Sequence, residues 1–149
     1  MPYETDPDRA ASLKLFVVLS KAYNRIASQA IKDMKRHGLS PSEFTIMELL
    51  YHKGRIPLQQ IGERILITSG SITYNIDKLE QKALLKRVPC AEDRRVIYAE
   101  ITPDGSGLME RVFPLHAEVL HSAMAGLSSE EKASAALLLK KLGKGGINH

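Results

Sequence analysis

Apolar residues recur at intervals of three and four over most of this chain, and the places where that rhythm breaks divide it into elements. From Asp8 to about Arg36 neither Pro nor Gly intervenes, and Leu13, Phe16, Val17, Ser20, Asn24, Ala27, Ile31 and Met34 fall at helical spacing. At about 1.5 Å per residue such a helix spans on the order of 40 Å. That is more than a compact domain of this size needs, so part of the helix is expected to pack against something else. His37 and Gly38 stop it, and "LSPSEFTIMELLYHKG" starts a second helix, with Ser40 or Ser42 as cap, Pro41 in the first turn and Gly54 at the end.

The segment "IPLQQIGERILITSGSITYNIDKLEQKALLKR" holds two further helical patterns separated by small residues. Leu58, Ile61 and Ile65 line the first, while Ile72, Ile76, Leu79 and Ala83 line the second. Thr68 or Ser69 is the expected cap between them. Two short helices joined by a tight turn, the second with one apolar stripe, fit a DNA-reading helix-turn-helix and equally a plain αα-corner. After them, "LLKRVPC" and "RRVIYAEIT" are β-prone and joined by "AED", which predicts a hairpin. Thr102 then caps a helix with Pro103 in its first turn, and Pro114 is expected to kink or interrupt it. A last helix starts near Ser128 or Ser129, has Glu131 at capping-box spacing from Ser128, and ends around Gly143 before a frayed tail.

Composition narrows the class without naming a function. The chain has 149 residues, 44% hydrophobic and 26% charged, which suits a single, mainly helical domain. A formal charge of +4 and a pI near 9.2 are compatible with nucleic acid as a partner. The opening MPYETDPDRA lacks the blocks of a secretory signal, and no apolar run has the length of a membrane span, so a cytoplasmic protein is expected. One cysteine forms no internal disulfide, and His37, His52, His116, His121 and His149 are scattered, so neither a metal site nor a cofactor is expected. No nucleophile with its base, paired carboxylates or phosphate loop has usable spacing, which argues against an enzyme.

The candidate chemistry therefore lies in the second helix of the pair and in the hairpin. With Ile72, Ile76 and Leu79 inward, Ser71, Thr73, Tyr74, Asn75, Asp77 and Lys78 occupy the remaining surface. Hydroxyls near a helix N-terminus suit phosphate oxygens, and Gly70 lets a duplex backbone come close. Ser69, Gly70, Ser71, Thr73, Tyr74 and Lys78 are the candidate major-groove contacts, and Asp77 is expected to be structural. Arginine suits a narrow minor groove, where its weakly hydrated guanidinium meets enhanced negative potential. Of Arg94 and Arg95, read as alternating strand residues, Arg95 is expected to insert, with Asp93 bracing a guanidinium. Cys90, close to Arg87, Arg94 and Arg95, is either an ordinary half-buried residue or a thiol favoured as thiolate by its basic neighbours.

The stretch "SGSITYNIDKLEQKALLKRVPCAEDRRVIYAEITPDG" resembles the winged helix-turn-helix signature of the MarR family. Asp77, Leu79 and Glu80 stand in its recognition-helix run, Asp93, Arg94 and Arg95 in its wing, and Thr102 and Gly105 in the closing motif. A departure is Ala83, where many members have Gly; its effect is expected to be small if the backbone there is not left-handed. "SLKLFVVLSKAY", "ELLYHKG", "PLQQIG" and "SGSITY" are similar, more narrowly, to the hydroquinone-responsive MhqR type.

The resemblance implies a mainly α fold with a small β-hairpin wing: one domain over 1–149, with a DNA-binding lobe over 41–102 and dimerisation helices over 8–37 and 103–143. It further implies a homodimeric, DNA-binding repressor on a palindromic operator of double-stranded DNA, released by a small phenolic or quinone-like ligand or by thiol modification. Phe16, Tyr23, Phe44, Met47 and Tyr51 are candidates to line a ligand cleft, with core packing as the alternative. A helical protein-interaction dimer that binds no DNA is the rival reading.

Overall fold

Helix α1 (Pro7–Arg36) begins one residue earlier than its apolar pattern predicts because Asp6 caps it, accepting the Arg9 N–H at 2.7 Å. These details come from a computed structural model that describes residues 6–65 and 69–144. Thr68, His149 and the tail from 145 onward lie outside the described residues. His37 closes α1, and Gly38 adopts φ 81, which turns the chain into α2 (Pro41–Lys53). Ser40, not Ser42, caps α2: its hydroxyl accepts the Glu43 N–H while Glu43 accepts the Ser40 N–H, a full capping box.

Past Gly54, a strand that the pattern did not predict, β1 (Ile56–Pro57), precedes α3 (Leu58–Ile65) and α4 (Ser69–Gln81). Two residues are too short for an alternating signal, and β1 exists only because β3 offers it an edge. Strands β2 (Leu85–Pro89) and β3 (Ile97–Ile101) pair antiparallel from Leu85 opposite Ile101 to Pro89 opposite Ile97, and Ile56 faces Ala99, giving the order β1-β3-β2. Across this ladder Lys86 and Glu100 are directly paired, 3.4 Å apart.

Helix α5 (Pro103–Ala123) is capped by Thr102, whose hydroxyl accepts the Gly105 N–H at 3.0 Å. The helix continues through Pro114 to Ala123, so the interruption among the two expected outcomes does not occur; packing on α1 and α2 offsets the lost N–H and the ring's clash with the preceding turn, which together cost about 3 kcal/mol in a helix interior. Helix α6 (Ser129–Lys144) carries the capping box expected of Ser128 and Glu131.

The core is built on α2. Phe44, Ile46, Met47 and Leu50 are buried with Ile61 of α3, Ile72, Ile76 and Leu79 of α4, Leu85 and Ala99 of the sheet, and Met109 and Val112 of α5. The long helices extend well beyond it. Every residue from Pro7 to Val18 is exposed, including Phe16 at 70%, and Leu137, Leu138, Leu139 and Leu142 of α6 are exposed as well. At roughly 25 cal/mol per Å² of apolar surface, so much uncovered hydrocarbon is a standing driving force for association.

Ala83 departs from its expected place on the apolar stripe of α4. It lies beyond the end of that helix, is exposed, and adopts φ 61, the left-handed conformation that closes the helix through the bonds Ala83 N–H to Glu80 and Leu84 N–H to Leu79. The condition for a negligible effect of Ala in place of Gly is therefore not met, since an L-residue is strained here. Ala83→Gly is expected to stabilise the fold by about 0.5 to 1 kcal/mol, the relief of strain exceeding the added entropy of the unfolded chain, as measured by urea denaturation.

Candidate nucleic-acid interface

Helix α4 buries residues at intervals of three and four: Ile72, Asn75, Ile76 and Leu79. Asn75 thus belongs to the inner face and not to the exposed surface expected of it, because its Nδ2 donates to the Ser71 carbonyl at 2.7 Å and so satisfies one of its polar groups while buried. The outer face carries Ser71, Thr73, Tyr74, Asp77, Lys78 and Glu80. Lys78 lies over the Tyr74 ring, 5.4 Å from its centroid, so the two form one exposed aromatic and cationic unit. Ser69 and Gly70 open the helix; their side-chain environment lies outside the described residues.

Asp77 and Glu80, one helical turn apart, both bind Arg87 of β2. The Asp77 carboxylate is 2.6 Å from the guanidinium, and Glu80 accepts from the Arg87 side chain and from its backbone N–H. The bond to Asp77, followed by the nearby charge of Glu80, raises the Arg87 pKa further above its ordinary value. Asp77 thus has a structural partner, and Arg87 was legible only as one arginine among several.

The loop at residues 90–96 joins β2 to β3. The Cys90 N–H bonds Val96, and the Val96 N–H bonds Asp93, closing a turn with Arg94 and Arg95 at its two centre positions. The two arginines therefore lie in a turn and not on a strand, and strand alternation does not decide which one points where. Asp93 does: one carboxylate oxygen accepts both the Arg95 backbone N–H at 3.0 Å and its Nε at 3.1 Å, and the other accepts Nη2 at 3.3 Å. The hydrogen bond from the Arg95 side chain, then that from its backbone, lowers the Asp93 pKa and keeps the carboxylate ionised. The Arg95 side chain is 90% exposed, so it is held in orientation while open to a partner.

The five candidate cleft residues do not converge. Phe44 and Met47 are fully buried in the core, Phe16 and Tyr23 lie on exposed stretches of α1, and Tyr51 packs at the core margin near Phe113. Tyr23 borders an open groove of about 540 Å³ together with Asn24, Ala27, Ser28, Ile31, Lys32 and Lys35. Cys90, half-buried, borders a separate hollow of about 350 Å³ at the base of the loop, beside Arg55 and Tyr98, whose ring lies 4.5 Å from the Arg55 guanidinium.

A helix pair whose second member presents a polar face, joined to a three-stranded sheet whose hairpin loop carries two arginines, has the layout of a winged helix-turn-helix, with 90–96 at the wing tip and α4 as the second helix of the pair. Residues 39–97 match the model of the MarR family. The regulator MhqR of Bacillus subtilis is 52% identical over 132 residues, covering 89% of this chain and 91% of that protein. Among solved structures, the MarR-family regulator Sco3205 of Streptomyces coelicolor in complex with DNA superposes with a TM-score of 0.81 at 16% identity, over 99% of this chain and 93% of that one. BpsR of Bordetella bronchiseptica, whose DNA binding is regulated by 6-hydroxynicotinic acid, superposes with a TM-score of 0.77 at 24% identity, over 87% of this chain and 98% of that one. The chain belongs to the MarR family of DNA-binding transcriptional regulators and is not an enzyme. Among the described residues no helix is long and apolar enough to cross a membrane.

Proposed function

We propose that this protein is a cytoplasmic, homodimeric repressor that reads a palindromic operator through α4 and the wing of each subunit. Ser69, Gly70, Ser71, Thr73, Tyr74 and Lys78 contact the major groove, and Arg95 enters the flanking minor groove with Arg94 on the adjacent phosphates. The observation that carries this reading is the Asp93 clamp on Arg95, which orients a guanidinium that remains 90% exposed. Ordering the side chain beforehand lowers the entropy lost on insertion. The exposed apolar faces of α1 and α6 supply the two-fold contact, which sets half-sites about one helical turn apart.

Arg95→Ala is expected to weaken operator binding by about 1 to 3 kcal/mol in fluorescence anisotropy, with an unchanged sedimentation coefficient for the free protein. Unchanged affinity together with an unchanged salt dependence would remove the wing from the interface.

Release follows from a small phenolic or quinone-like ligand, a reading supported by the narrower likeness to the hydroquinone-responsive type and by the pairing of Tyr23 with Lys32 and Lys35 along one groove. Thiol modification at Cys90 is the competing trigger, favoured by its place at the base of the wing. Gel shifts with quinones, phenols and thiol oxidants separate the two: release that persists in Cys90→Ser assigns the signal to the pocket, and release lost in that variant assigns it to the thiol.

A further inference from the structure

Lys82 follows the last residue of α4, and its ammonium reaches the corner between α1 and α2. There it donates to the Gly38 carbonyl at 3.1 Å and to Oε2 of Glu43 at 2.8 Å. Glu43 is only 5% exposed, and its other oxygen accepts the Ser40 N–H at 2.9 Å, so one carboxylate both closes the cap of α2 and anchors the end of α4. Burial acts to raise the Glu43 pKa, but the bonds from Lys82 and Ser40 outweigh it and hold the group below its ordinary value.

The same corner is tied on its other side to α5. Asp33, one turn before the α1 cap, is buried with Oδ2 2.9 Å from Nδ1 of His116, and its Oδ1 lies 3.4 Å from the cap residue His37. The remaining inward contacts of α4 come mainly from Ile72, Ile76 and Leu79. Apolar packing opposes separation of α4 from the core, but it is less directional than a charge-assisted bond and fixes rotation less well.

We propose that Lys82 is a positioning residue for operator reading: by bonding Gly38 and Glu43 it sets the rotation of α4 against the α1–α2 corner, and so carries the placement of the long helices to the DNA-reading face. This rests on α4 being the recognition helix. It gives Lys82 a role distinct from that of a phosphate-binding lysine, because its ammonium, on a side chain 39% exposed, is already paired with the Glu43 carboxylate.

The test compares wild type, Lys82→Met, Glu43→Gln, their double variant and Arg95→Ala. Each binds a duplex selected by the wild type from a random-sequence pool and a scrambled duplex of the same composition, over a range of salt. Lys82→Met is expected to lose about tenfold in affinity for the selected duplex while keeping its affinity for the scrambled one and its salt slope. Glu43→Gln, which retains an acceptor for Ser40, should lose a similar factor, and the double variant no more than either single one. Lys82→Arg should recover most of the loss. If Lys82→Met is not folded at the assay temperature, Glu43→Gln and Lys82→Arg carry the same comparison.

The assignment is overturned if affinity for the selected duplex is unchanged, if the two single losses add, or if both duplexes weaken together and the salt slope falls by about one, the mark of a lost phosphate contact. A wild type that selects no duplex overturns the reading of α4 itself. A wild type that selects one, and is weakened by Arg95→Ala but not by Lys82→Met, overturns only the role of Lys82.

Discussion

Gly105→Ala is expected to give a chain that fails to reach the native fold, with a loss of about 3 kcal/mol or more in urea denaturation where any folded protein survives. A Cβ at this position would stand 2.1 Å from the carbonyl oxygen of Leu84 and 2.8 Å from the Ile101 side chain. The nearer obstacle is backbone and cannot swing aside. Here the first turn of α5 rests directly on the connection from α4 to β2, and Thr102 seals the same junction: its hydroxyl donates to the Ala83 carbonyl at 2.7 Å while accepting the Gly105 N–H, and its own N–H bonds Leu84. Displacing α5 by the needed ångström would break these bonds together. Gly107, in the same turn, has open space at its Cβ position, so Gly107→Ala is the matched control and should be tolerated.

His116→Leu is expected to destabilise the fold by about 3 kcal/mol, because it leaves the Asp33 carboxylate in the interior without its principal partner. Both side chains are almost wholly buried, and the imidazole also packs on Phe44 with ring centroids 4.4 Å apart. Leucine restores most of the apolar contact, so the loss measured is that of the hydrogen-bonded pair. Combining it with Asp33→Leu should recover most of the stability, since a buried polar pair exchanged as a whole for hydrocarbon costs little. Calorimetric melting of both single variants and the double gives the coupling directly, and additive losses would show that the two groups do not act as a pair.

Much of the architecture was legible because its causes are local. The box of Ser128 with Glu131 and the cap at Thr102 join residues three apart, the cap of α2 was narrowed to Ser40 or Ser42, and the stripe of Ile72, Ile76 and Leu79 needs only helical periodicity. What escaped depends on residues brought together by the tertiary fold. His116 read as one of several scattered histidines because Asp33 is 83 positions away. Asn75 read as surface because a buried amide becomes acceptable only once it has bonded its own helix. Ala83 read as an apolar stripe residue because nothing in its side chain announces a positive φ; the absence of Gly hid a turn that the backbone makes anyway. At the candidate interface, Asp93 was legible as a brace for one of two guanidiniums, whereas its pairing with Arg95 and the turn that holds them had to be seen before strand alternation could be set aside.

The clamp of Asp77 and Glu80 on Arg87 has a mechanical consequence. It ties the first wing strand to α4 with a two-sided charged joint, so that strand and helix are coupled within each subunit, like the jaws of one caliper. In the proposed dimer, the quantity left free to vary is then the separation between the two calipers. A ligand that moves the long helices would not need to disarm either reading head, only to bring the pair out of step with the pitch of the duplex.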